Sequence, residues 1–118
     1  MGYKLDSILK KKLVEGPLAI SSDYTTPEYD ISGAENSFSV QADYSGGVGL
    51  DMTLYLEVST NGTAYIRIDE SSQNVTDASG SHLWDVTEMG VVYLRVAFVI
   101  NAGSCVLDQT IVSAKRRH

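Results

Sequence analysis

The sequence has very few of the residues that cross-link or catalyse. Cys105 is the only cysteine among 118 residues, so no disulfide can form within the chain, and one thiol with one internal histidine is too few for a typical zinc site. His118 is the last residue, which leaves His82 as the only candidate catalytic base. Ser81 and Asp85 flank it within one short segment, which is the wrong geometry for a catalytic triad. We therefore expect a protein that is not an enzyme and has no cofactor.

Long apolar segments are also absent. The longest, residues 91–100, is interrupted by Arg95 and is too short to span a bilayer as a helix. The first residues show no apolar core followed by a small-residue cleavage site, so they do not resemble a secretory signal. These features predict a protein made in a cytoplasm, with Cys105 free and with no membrane as a partner.

Acidic residues offer little support for a metal ion. Asp69, Glu70 and Asp77 bracket a polar loop, and hard cations such as calcium favour clustered carboxylates. The loop nevertheless lacks the alternating acidic pattern and central glycine of an EF-hand, and an acidic surface produces such clusters by chance. We therefore assign no metal site.

Positive charge is missing from most of the chain. The formal net charge is −6, which disfavours nucleic acid as a partner, and between residues 15 and 114 the only cations are Arg67 and Arg95. Most of the others cluster near the two ends, as Lys10, Lys11 and Lys12 and as Lys115, Arg116 and Arg117. Two interpretations are open. The ends are either simply solvated or dock on acidic surfaces of neighbouring copies or of another protein.

The N-terminal segment has apolar residues at helical spacing before Gly16-Pro17, which predicts an amphipathic helix of about two to three turns. So short a helix is marginal alone, because nucleation is costly. We expect residues 1–30 to form this helix and an extended arm that docks on another subunit. The predicted assembly interface consists of Leu5, Ile8, Leu9, Lys10, Lys11, Lys12, Leu13, Lys115, Arg116 and Arg117.

The remainder, residues 31–118, has the two-residue period of β-strands. Residues 50–59 alternate cleanly, YSGGVG is expected to be a turn, and Asn61-Gly62 predicts a tight hairpin turn. Seven or eight strands, with turn signals about every eight to twelve residues, predict an all-β fold, an antiparallel sandwich or jelly roll. The predicted core comprises Leu54, Leu56, Val58, Ile66, Val96 and Phe98.

Two tyrosines fall on the polar face of the predicted hairpin. Tyr55 and Tyr65 belong to its two strands, and neither shares the face of the predicted core residues. Exposed tyrosines could stack on a sugar or pack into a subunit interface. The third interpretation is a cross-strand aromatic pair that only stabilises the sheet.

The order of four segments carries a resemblance. The chain resembles a small β-sandwich module of bacteriophage virion proteins over roughly residues 38–113, where SFSVQADYSGG, LYLEVSTNGTAYIRI, ASGSHLWDV and VVYLRVAFVI follow one another and a β-rich segment after a Gly-Ser turn ends the module. The resemblance implies a non-enzymatic capsid decoration, minor capsid, tail or neck component, located in the virion and assembled with copies of itself and other virion proteins. The hairpin is also similar to parts of discoidin-like carbohydrate-binding modules. The alternative function is therefore binding of a glycan, such as one on a host surface, through Tyr55, Tyr65 or Trp84.

Overall fold

Two long antiparallel strands organise the molecule. The computed structural model describes residues 8–30, 34–86 and 93–116. Strand β5 (Ala34–Ser59) pairs with strand β9 (Tyr93–Arg116), from Ala34 opposite Arg116 to Ser59 opposite Tyr93. The all-β prediction is confirmed, since the described residues form nine β-strands, one 3-10 turn and the segments that connect them.

Shorter strands line both sides of this pair. β1 (Ile8–Val14), β2 (Leu18–Ile20), β3 (Tyr24–Thr25) and β4 (Tyr29–Asp30) pair in turn with β9. β6 (Ile66–Arg67), β7 (Gln73–Val75) and β8 (Gly80–Val86) pair with β5, and a 3-10 turn (Asp69–Ser71) precedes β7. The described residues thus form one nine-stranded antiparallel sheet. Among them no helix is long and apolar enough to cross a membrane.

The sheet bends where YSGGVG was expected to end a strand. Pairing shifts register repeatedly between Ser45 and Met52, and Gly46 and Gly49 have positive φ angles of 62° and 57°. Opposite them, Gly103 has φ of 78°, and a Cβ there would lie 2.3 Å from two carbonyl oxygens of β5. The predicted turn is therefore wrong. Glycine lets both long strands bend and continue rather than reverse.

The bend divides the sheet into two halves. We call β1, β8, residues 34–45 of β5 and residues 106–116 of β9 the first half-sheet. The second half-sheet contains β3, β4, β6, β7, residues 51–59 of β5 and residues 93–100 of β9. One hydrophobic cluster joins the inner faces of both halves, and Trp84 Nε1 in the first donates to the Ser71 carbonyl beside the second at 2.7 Å. The halves therefore pack on each other as the two layers of a sandwich.

The predicted N-terminal helix is wrong for the described part of that segment. Residues 8–14 form strand β1, paired with β9 from Ile8 opposite Lys115 to Val14 opposite Thr110. A short apolar segment is ambiguous between helix and strand, and the edge of β9 supplies hydrogen bonds that an isolated helix would lack. Residues 8–30 consequently lie in the same sheet as the rest. The start of the predicted helix, including Leu5, is outside the described residues.

The predicted hairpin exists, but its connection is wider than a tight turn. Val58 pairs with Ile66, and residues 60–65 form the loop between the ends of β5 and β6. Asn61 holds it through its side-chain oxygen, which accepts hydrogen bonds from the amides of Thr63 and Ala64. Ile66, predicted to be core, is 71% exposed because it lies on a two-residue edge strand that the other half-sheet leaves uncovered. That prediction was wrong, whereas the other five predicted core residues are buried.

Candidate interaction surfaces

The basic segments from the two ends of the sequence become neighbours in the sheet. Lys10 is paired with Ser113 and Lys12 with Ile111, and β1 begins at Ile8, opposite Lys115. Lys10, Lys11, Lys12, Lys115 and Arg116 therefore occupy adjacent strands at one corner of the first half-sheet, which we call the basic corner. Pairing of β1 with β9 thus concentrates charge that is separated by about a hundred residues in the sequence.

The remaining predicted interface residues have different positions. Leu13 is 6% exposed and packs in the core of its own chain, so its side chain is covered without a partner. Lys12 is exposed to solvent. Ile8 and Leu9 occupy the first two positions of β1, and Arg117, like Leu5, is outside the described residues. Leu13, which was predicted to lie on the docking face of a helix, is therefore part of the sandwich core.

Tyr55 and Tyr65 are both half-buried on the outer face of the second half-sheet. The guanidinium of Arg67 lies 4.3 Å from the centre of the Tyr55 ring, and that of Arg95 lies 3.8 Å from the Tyr65 ring. The Tyr65 hydroxyl donates a hydrogen bond to Glu28 Oε1. Each ring thus has a cation over one face, an arrangement that stabilises both groups, in place of the cross-strand aromatic pair that was one of the three interpretations.

Glu57 holds the same two arginines. Its carboxylate accepts from Arg67 Nε and Nη2 at 3.1 and 3.0 Å and from Arg95 Nε at 2.8 Å. The side chain of Glu57 is only 10% exposed, whereas those of Arg67 and Arg95 are 42% and 33% exposed. The two cations of the acidic body are therefore committed to one buried carboxylate. Sequence reasoning missed this network, although Glu57 and Arg67 occupy the polar positions of the predicted hairpin.

The outer face of the first half-sheet has a shallow depression. Five residues line it: Ser39, Gln41, Leu83, Ile111 and Ser113. Leu83 is 55% exposed. Register places Leu83, Gln41, Ile111 and Lys12 in one row across β8, β5, β9 and β1. This face therefore combines an exposed apolar side chain with a lysine on the opposite edge of the same layer.

Asp43 adds negative charge near the β8 side of this layer. It pairs in register with Ser81 of β8. Burial pushes the pKa of its carboxyl upward, but hydrogen bonds from Ser81, Gln41 and Gln109 outweigh burial and leave the pKa below its usual value. Asp43 is thus a carboxylate at neutral pH, held by three donors.

The residues considered above as catalytic or metal-binding candidates make structural contacts instead. His82 packs edge-on against Trp84 with ring centres 4.6 Å apart, and burial lowers its pKa. Asp85 accepts a hydrogen bond from Ser39 Oγ. Burial, with help from Asp108, raises the pKa of the Cys105 thiol, which lies 3.9 Å from Met52 Sδ. Within residues 8–30, 34–86 and 93–116, no three His, Cys, Asp or Glu side chains cluster as metal ligands would.

Comparison with known proteins rests on structure alone. No protein-family model and no curated protein sequence matches the chain. Its fold is similar to that of the SPBc2 prophage-derived protein YomS, with a TM-score of 0.55 and 14% identity over 91% of this chain and 93% of YomS.

The fold is also similar to part of a chain from infectious bursal disease virus. In the T13 viral particle the TM-score is 0.58 with 12% identity over 92% of this chain, and in the Gt strain it is 0.57 with 12% identity over 94%. The chain spans only about a third of the viral polypeptide, 31% and 32% respectively. These similarities show a shared fold with a prophage-derived protein and with part of a virus-particle protein.

Proposed function

We propose that this chain is a non-enzymatic structural protein of a bacteriophage particle, such as a capsid decoration, minor capsid, tail or neck component. The observation that carries the proposal is the full-length similarity of fold to prophage-derived YomS. Similarity to a segment of a virus-particle chain supports the same role. The protein would be made in the host cytoplasm and located in the virion, with other virion proteins and copies of itself as partners.

The charge distribution suggests how such a protein would assemble. Lys10, Lys11, Lys12, Lys115 and Arg116 occupy neighbouring backbone positions of β1 and β9 at the basic corner, while Arg67 and Arg95 are paired with Glu57. The acidic surfaces of sister copies or of a neighbouring virion protein are complementary to that corner. We therefore retain the basic residues of the predicted interface and propose them as the contact with the particle. Nucleic acid and membrane are not proposed as partners.

Purified particles provide the test. The protein should be detected by mass spectrometry in particles from its own host system and should co-sediment with them. Lys10→Glu/Lys11→Glu/Lys12→Glu should reduce occupancy strongly, whereas the matched variant with three arginines should keep it. Circular dichroism of both variants checks that the sheet is folded. Absence of the wild-type protein from particles would refute the structural role. Equal occupancy of the two variants would refute the proposal that the basic corner contacts the particle.

The carbohydrate-binding alternative remains a prediction with a separate test. Trp84 is 7% exposed and its indole N–H is bonded inside the protein, so it offers no open stacking surface. Tyr55 and Tyr65 remain half-exposed, each with one ring face under an arginine. A specific hit on a glycan array that is lost in Tyr55→Ala or Tyr65→Ala would favour this function. A uniformly negative array would count against it.

A further inference from the structure

The first half-sheet ends in two strands of equal length. β1 and β8 each contain seven residues. Within the described part of the chain, β1 pairs only with β9 and β8 pairs only with β5. The outer side of each strand therefore presents a row of backbone N–H and C=O groups that another strand could pair with.

The two edges carry opposite charge. β1 contains Lys10, Lys11 and Lys12 and no acidic residue, whereas β8 contains one acidic residue, the exposed Asp85, and no lysine or arginine. Asp43 lies on the strand next to β8, in register with Ser81. A lysine-rich edge resists pairing with its own copy, because three lysines would face three lysines. The same edge is complementary to β8.

Strand direction permits that pairing. β1 is antiparallel to β9, β9 to β5, and β5 to β8, so β1 and β8 of one copy run in opposite directions. A second copy, shifted sideways without being turned over, therefore brings its β8 alongside β1 as an antiparallel neighbour. The hydrogen-bonding pattern of the sheet would continue across the junction.

Register brings the charges together. Asp85, Ser39, Ser113 and Lys10 form one row across the four strands of the half-sheet. When the next copy continues that row without a shift, its Asp85 becomes the cross-strand neighbour of Lys10. The row that contains Leu83 and Lys12 continues in the same way. Opposite charges in such positions stabilise strand pairing.

We propose that copies of this chain associate head to tail, with β1 of one copy adding to β8 of the next. This is a heterologous contact, so it builds a ring if the rotation between copies closes and an open filament if it does not. The inference rests on the proposed structural role and names its partner as a second copy. Pairing of two seven-residue strands is a small interface, so we expect weak association that the multiple contacts of an assembly strengthen.

Analytical ultracentrifugation of the purified full-length protein tests the proposal without any particle. The sedimentation coefficient should rise with protein concentration at low salt and fall back at high salt, because the contact is partly electrostatic. Lys10→Glu/Lys12→Glu makes both edges acidic, and Asp85→Lys makes both edges basic. Each variant alone should associate about tenfold more weakly or worse. An equimolar mixture should recover association, because each acidic edge then meets a basic one.

Recovery in the mixture shows that both variants are folded and that the contact joins unlike edges. The control Lys10→Arg/Lys12→Arg should behave as wild type. A wild-type protein that stays monomeric at every salt concentration would overturn the proposal, since the lysines would then only prevent β1 from pairing with another chain. A closed dimer that grows no further, or a mixture that fails to associate, would also overturn it. Detection in particles tests the structural role separately, so failure of the structural role and failure of the strand pairing give different results.

Discussion

Glu57 lies directly opposite Arg95 in the pairing of the two long strands, and its Oε1 accepts a hydrogen bond from Arg95 Nε at 2.8 Å. On its other side Glu57 pairs with Arg67 of β6. One carboxylate therefore ties together three adjacent strands on the outer face of the second half-sheet. Because this side chain is buried while its partners are partly exposed, the contribution of the network to the free energy of unfolding depends most on Glu57.

Replacing Glu57 with Gln should lower the free energy of unfolding by about 1.5 to 3 kcal/mol, the range for hydrogen bonds to charged groups. An amide oxygen accepts fewer charge-assisted bonds, and the amide NH₂ would face a guanidinium. Urea denaturation measures the loss, and Glu15→Gln, at an exposed position, provides the control. Equal stability of the two variants would show that the network contributes nothing.

Much of the fold could be predicted because period two decides which side chains face inward. Leu54, Leu56 and Val58 on β5 and Val96 and Phe98 on β9 are buried as that pattern requires. The choice between helix and strand for ILKKKLV could not be made locally, since β9, a hundred residues away, provides the pairing edge. Glycines in YSGGVG signal positive φ, but a bend and a turn use the same signal. The jelly-roll alternative stays a prediction.

The sequence predicted which residues belong to the candidate surfaces, but not how those residues are arranged. Charge counting found the basic segments at both ends, but their meeting depends on the register of β1 against β9. Alternation placed Tyr55 and Tyr65 on a polar face, yet the arginines over their rings belong to strands whose pairing is not local. Patterns in a single sequence do not show which residues of two distant strands are paired with each other.

Alanine substitutions at one buried and one exposed residue test which side chains form the core of the sandwich. Leu56 is 1% exposed, and Leu56→Ala should cost about 2 to 5 kcal/mol through lost burial and the cavity left behind. Ile66 is 71% exposed, so Ile66→Ala should change stability by no more than about 0.5 kcal/mol. Denaturant midpoints at unchanged slope measure both values. A large loss in Ile66→Ala would mean that β6 packs against the core after all.

Thr110 offers a stabilising substitution. It is fully buried, and its Oγ1 has no hydrogen-bond partner among the described residues. An unpaired buried hydroxyl costs about 1 to 3 kcal/mol, and valine has nearly the same shape without it. Thr110→Val should therefore raise the free energy of unfolding by about 1 kcal/mol. Thr110→Ser keeps the hydroxyl and removes the methyl group, so it should lower stability. Destabilisation by valine would reveal that the hydroxyl is bonded.

Tyr65 should make stability depend on alkaline pH. Burial, then the hydrogen bond to Glu28 and the negative charge of that carboxylate, raise its pKa from 10.0 to about 12, although Arg95 opposes this. Because the pKa is raised in the folded state, the contribution of Tyr65 is complete below pH 10 and is lost as pH rises through about 12. Above that value a phenolate would face the Glu28 carboxylate and could no longer donate.

Difference absorbance titration of wild type against Tyr65→Phe isolates this phenol among the seven tyrosines. The difference should titrate near pH 12, and Glu28→Gln should move it toward 10, because both the acceptor charge and its bond to the phenol are weakened. Unfolding measured between pH 9 and about 12 should lose stability in wild type but lose less in Tyr65→Phe. A difference titration centred near 10 in wild type would mean that the loop carrying Tyr65 does not hold the ring against Glu28 in solution.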